Sequence, residues 1–77
     1  MELLERLGDA LAKDVLEAAE RLGDETIVDK VSSAVGASST TLQEAFLTAV
    51  RIRRAEAHAR RVLAELVARA EDGGTGD

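Results

Sequence analysis

Apolar residues recur every three or four positions along most of this chain, which is the spacing of amphipathic helices rather than the two-residue alternation of strands. In the first segment, from about Glu2 to Leu22, the stripe is Leu4, Leu7, Leu11, Val15, Ala18 and Leu22. Gly23 is placed to stop it, because glycine takes the left-handed conformation of a helix C-terminus without steric cost. Gly8 falls inside the segment and costs roughly 1 kcal/mol relative to alanine, so the first turns are expected to fray or bend. A second helix is expected after Asp24, an N-cap residue with Glu25 in the following turn, where acids suit the helix dipole. It would bury Ile27, Val28, Val31 and Val35 and end at Gly36.

Residues 37 to 40 read as a turn, and Thr40 with Gln43 three places on forms a capping-box pattern. From Thr41 to Glu71 nothing interrupts helical character, which amounts to about 45 Å of helix. With Leu42 at a heptad a position, Leu42, Ala45, Ala49, Ile52, Glu56, Ala59, Leu63, Leu66 and Ala70 fall alternately at a and d. Phe46 and Val50 widen this stripe only in its N-terminal half. The pattern predicts core near Phe46 and, beyond it, a narrow small-residue seam of Ala49, Ile52, Ala59, Leu63 and Leu66 that packs on the first helix or on a second copy. The glycine-rich residues 72–77 read as a tail without fixed structure. The expected fold is all-α: one three-helix domain over residues 1–71 with a long C-terminal helix and a helix-turn-helix-like corner.

Composition narrows what such a domain can do. A chain of 77 residues buries only about 60% of the surface its unfolded form exposes, so its core is thin. No cysteine is present to staple it, and the single His58 cannot build a zinc site. Self-association is the expected supplement, and a homo-oligomer the expected state. No run approaches the roughly 18–20 apolar residues of a membrane span, and Met1 leads into Glu2, Leu3, Leu4 and Glu5 rather than into a basic leader. A cytoplasmic protein without membrane contact is expected.

The net charge of −5 disfavours non-specific binding to polyanions, but the charge is segregated. Residues 1–30 carry nine acids against Arg6, Lys13, Arg21 and Lys30, whereas residues 51–69 carry six arginines against Glu56 and Glu65. Arg51, Arg54, His58 and Arg61 recur at helical spacing, with Arg53 and Arg60 beside them. Their guanidinium forks suit carboxylate or phosphate. The simplest expectation pairs them with Asp14, Glu17 and Glu20 of the first helix; the sharper one makes them a contact for an acidic protein or for DNA.

The span from Val31 to Phe46, V-S-S-A-V-G-A-S-S-T-T-L-Q-E-A-F, carries the order of a helix-turn-helix: a small residue in the first helix, a turn glycine, a cap and apolar anchors. Ser32, Gly36, Ser38, Leu42 and Phe46 supply these in turn. Order and spacing resemble the first helix-turn-helix of the AraC/XylS family of transcription regulators, and the run from Arg53 to Leu63 is loosely similar to that family's linker helix. The resemblance implies a DNA-reading helix in which Ser39, Thr40 and Gln43 reach bases and the arginines reach phosphate. The residues beside them include Glu44 and no base, which argues for a packing corner instead. His58, with Arg54 and Arg61 near it and no Ser, Cys or carboxylate arrangement, reads as a solvated side chain. Nothing in the sequence suggests a catalytic centre, a cofactor, a metal or a small-molecule substrate. The leading expectation is a helical interaction module, an adaptor, chaperone or regulator that binds a protein partner and itself; the alternative is a minimal DNA-binding regulator.

Overall fold

The computed structural model describes the backbone of residues 2–76 and the side chains of residues 2–73. Three helices follow one another: α1 (Glu2–Leu22), α2 (Thr26–Ser38) and α3 (Thr40–Gly76). There is no strand among the described residues, and the chain forms the expected all-α three-helix domain with a long C-terminal helix. Both shorter helices pack on the N-terminal half of α3, around Phe46, which is fully enclosed by Ala12, Val15, Val28 and Val50 with Leu11, Leu16, Ile27, Val31 and Leu47 at the margin. At 37 residues, α3 is about 55 Å long by its rise per residue, close to the molecule's longest extent of 59 Å. A compact domain of this size has a radius of gyration of about 11–12 Å, whereas this one has 16.9 Å. The excess is the outer half of α3, which leaves the bundle behind.

The end of α1 follows from Gly23, the one positive-φ residue in the described chain, at φ 65°. Its N–H donates to the Glu20 carbonyl at 3.3 Å and that of Asp24 donates to the Ala19 carbonyl at 2.9 Å, the paired bonds of a Schellman motif. One residue later Asp24 opens α2. Its Oδ1 accepts from the backbone N–H of Thr26 at 3.0 Å and from the Thr26 hydroxyl at 2.5 Å, although the boundary residue by backbone angles is Glu25.

Gly36 does not end α2, contrary to expectation. It stays helical, and the helix runs two residues further to Ser38. Ser39 alone joins α2 to α3, where the sequence predicted a turn over residues 37–40. Its extended backbone directs its N–H to the Val35 carbonyl at 2.8 Å, while its Oγ accepts from Leu42 N–H at 3.0 Å. Ser39 thus closes one helix and caps the next, a tighter corner than the three- or four-residue turn of a helix-turn-helix. The capping box expected from Thr40 and Gln43 is absent because the Gln43 side chain is used elsewhere: its Nε2 donates to the Ser32 carbonyl at 2.9 Å and to Ser32 Oγ at 3.3 Å. Gly36 makes room for it, since the Gln43 carboxamide occupies the space a Cβ at residue 36 would take.

The buried face of α1 is also displaced from the expected stripe. It consists of Gly8, Ala12, Val15 and Ala19, while Leu7 and Leu22 keep 50% and 64% of their surface exposed. Close approach is the cause. A Cβ at residue 8 would lie 2.9 Å from the Ala45 carbonyl carbon, so α1 reaches the α3 backbone through its small residues and its leucines are left at the edges. Gly8 is therefore enclosed at a helix contact rather than fraying. At the other end, α3 keeps helical backbone over 72–76, where a tail was expected, and Asp77 lies outside the described residues.

The two internal glycines should respond differently to alanine. At Gly8 a gain of about 1 kcal/mol in helix propensity is outweighed by overpacking against backbone, about 1–3 kcal/mol, so Gly8→Ala should lower the melting temperature by roughly 5–10 °C. At Gly36 the same gain offsets the loss of the flexible Gln43 side chain's bonds, about 1 kcal/mol, and the midpoint should move by only a few degrees. Thermal unfolding of both variants checks this; a Gly8→Ala protein as stable as the parent would refute the close-approach argument.

Candidate functional site: the outer half of α3 and the groove at its base

From Arg54 to Gly73 every residue of α3 is exposed. The rod nonetheless keeps large apolar side chains: Val62, Leu63, Leu66 and Val67 retain 38%, 58%, 54% and 47% of their surface, and Ile52 at its base retains 62%. With Ala59 and Ala70 they recur at three- and four-residue steps along one side. The seam expected from the sequence is thus present as a surface, but it is broader than the a and d positions alone, because Val62 and Val67 flank it on either side. A heptad count passes over them; a 3.6-residue period would have included them. Ala49, placed by the sequence in the same seam, is half-buried and packs against the core.

At the base of the rod lies a groove of about 510 Å³ between α1 and α3. Leu4, Ala45, Thr48, Ala49 and Ile52 line it, and Glu5, Asp9 and Glu44 bring carboxylates to it. No sequence pattern announced this feature, because it joins α1 to α3 across a contact whose register depends on the approach at Gly8.

The arginines divide into two groups. Arg53 is half-buried and grips Asp9 through Nε at 2.6 Å and Nη2 at 2.8 Å. Arg54 reaches Glu25 at 3.2 Å, and Arg60 pairs with Glu56 one turn before it at 3.0 Å. The pairing expected with Asp14, Glu17 and Glu20 is not formed. At about 100° per residue, Asp9 sits at the flank of the buried α1 face, whereas Asp14 and Glu17 sit on its far side; Glu17 acts on Arg53 only through its field. Among the described residues Arg51, His58, Arg61 and Arg69 make no side-chain hydrogen bond or ion pair. They extend the basic character along the rod.

The three residues expected to read bases have different fates. Ser39 is the α3 cap and Gln43 is tied to Ser32, so neither side chain is presented outward; Thr40 is exposed. Among the described residues no group of His, Cys, Asp or Glu side chains could hold a metal ion, and no helix is long and apolar enough to cross a membrane. Compared with protein-family models, curated proteins and solved structures, the chain matches none, so the geometry alone carries the functional argument.

The Asp9 carboxyl is held below its ordinary value of 3.8, first by the hydrogen bond from Arg53 and further by the Arg53 charge. Asp24 is lowered in the same direction by its bonds to Thr26. A carboxylate lowered by folding contributes stability in full above its unfolded value, and loses it as pH falls through the lowered one. Melting temperature should therefore be flat near neutrality and fall below about pH 4. Asp9→Asn should make that acid limb shallower and leave the remainder to Asp24. Melts of both proteins across acidic pH provide the check, and identical acid limbs would show that the Asp9–Arg53 pair does not hold α1 on α3.

Proposed function

We propose that this protein is a cytoplasmic, non-enzymatic helical interaction module, an adaptor, chaperone or regulator that binds a protein partner and self-associates through the outer half of α3. The observation that carries this reading is the row of Val62, Leu63, Leu66 and Val67 on the outer half of α3, where every residue from Arg54 to Gly73 is exposed. Isolated helical segments of this length are marginal in water, and burying a large apolar side chain completely contributes about 1.5–3 kcal/mol. A partner that covers the row therefore stabilises the rod as well as the complex. The basic residues along it, Arg51, His58 and Arg61 among them, add attraction for an acidic surface.

The runner-up is a minimal DNA-binding regulator, supported by the same unpaired cations and by the sequence resemblance of residues 31–46. Its difficulty is local. A helix placed in the major groove would bring Glu44 towards phosphate, with two of its three candidate base readers engaged inside the protein.

The double variant Leu63→Glu and Leu66→Glu tests the main reading without touching the core. Sedimentation equilibrium should show an assembly for the parent and a monomer of 8.2 kDa for the variant, with association weakened by at least about 100-fold, the equivalent of roughly 2.7 kcal/mol. Capture of any protein partner should be lost in parallel. Partner capture and mass both unaffected by the double change would refute the reading. Titration of a labelled DNA duplex at low salt should show no binding; binding that falls steeply with salt and disappears in Arg51→Ala and Arg54→Ala variants would favour the DNA regulator instead.

A further inference from the structure

The exposed row on α3 and the groove at its base belong to one chain but cannot meet within it, since a straight helix connects them. We propose that they meet between chains: two copies associate antiparallel and reciprocally, the outer half of each α3 lying in the α1–α3 groove of the other. This proposal rests on the reading of α3 as the interaction element and names its occupant as a second copy.

Ile52, Val62, Leu63, Leu66 and Val67 keep about half of their surfaces, and completing that burial on two copies is comparable in size to the cost of bringing two chains together. A contact limited to the two rods is therefore marginal, and a stable pair must cover more apolar surface. The groove supplies it through Leu4, Ala45 and Ala49.

Register follows from the seam. With the two-fold axis between Ala57 and His58, every a position faces a d position: Ile52 lies opposite Leu63 of the second copy, Ala49 opposite its Leu66 and Ala45 opposite its Ala70. The large Leu66 is thereby set over a small residue of the groove floor. Glu56, the one acid in the seam, falls opposite Ala59 and near Arg60 of the second copy. In a parallel pair Glu56 would instead face Glu56, and both grooves would stay empty. Charge agrees with the antiparallel choice, because the groove brings Glu44 to its edge beside the Arg53-paired Asp9 and the entering helix carries Arg60 and Arg69 on the two flanks of its seam. The contacting edge runs from Ala45 to Ala70 of each α3, and Leu4 of α1 adds to it at the groove.

The absence of cysteine from the chain makes cross-linking a direct test. Ile52→Cys and Leu63→Cys alter two exposed positions, and the two variants are mixed, equilibrated and oxidised gently. A disulfide-linked dimer should form at least tenfold more in the mixture than in either variant alone. As a second, independent reading, Glu44→Arg should weaken self-association about tenfold in sedimentation, and adding Arg69→Glu to the same chain should restore much of it. Linked dimers from each variant alone would mean parallel pairing and overturn the proposal while leaving self-association intact. A parent that sediments as a monomer, together with no linked dimer from the mixed variants, would also overturn it. Loss of heterologous partner capture on changing Leu63 and Leu66 would then show that the interaction reading itself survives.

Discussion

The structure depends on how closely α1 can approach α3. At Gly8 the α1 backbone comes within a methyl group of the Ala45 backbone, and that contact selects the residues that can lie between the helices. Only Ala12, Val15 and Ala19 fit further along, so the interior of this bundle is made of small side chains around a single large one, Phe46. A core of that kind is shallow. It secures residues up to Arg53 and then has nothing left to offer the rest of α3. The same approach pushes Leu7 to the edge and opens the groove beside Leu4 and Ile52.

Helix number and type were legible because a 3.6-residue period sustained over tens of residues has few competing explanations, and both ends of α1 were expected within a residue. The glycines show the limit. Gly23, Gly8 and Gly36 look alike in a sequence, yet one supplies a left-handed backbone and two supply missing side-chain volume. Which use applies depends on what lies opposite: Ala45 is far from Gly8 along the chain, and Gln43, though close to Gly36 in sequence, faces it only through the corner between α2 and α3. Reading Gly36 as a stop placed a loop where α2 continues. Reading Thr40 with Gln43 as a capping box assigned Gln43 to its own helix, when its carboxamide crosses to Ser32.

The charges followed the same rule. Segregation of acids to the first helix and arginines to the third indicated that the two attract, but the particular pairs depend on rotation about each helix axis. Once the small-residue face of α1 turns inward, Asp9 flanks the contact and Asp14 and Glu17 point away from it. The seam of α3 was legible for the reason the helices were, and its true breadth was not, because heptad bookkeeping gives Val62 and Val67 no place.

The two halves of α3 thus answer to different requirements. In the inner half, apolar residues lie at Phe46 and Val50, where α1 and α2 cover them; in the outer half they shift to Ala59, Leu63, Leu66 and their flanking valines, around a different side of the helix. Had the outer residues served only to prolong the helix, alanine, glutamate and lysine would have done so with less exposed apolar surface. Leucine and valine at three- and four-residue steps instead specify a face, and the domain's own core ends before that face begins. Under the reading proposed above, whatever covers it would also hold the outer half of α3 helical, since a helical segment with no packing partner is marginal in water.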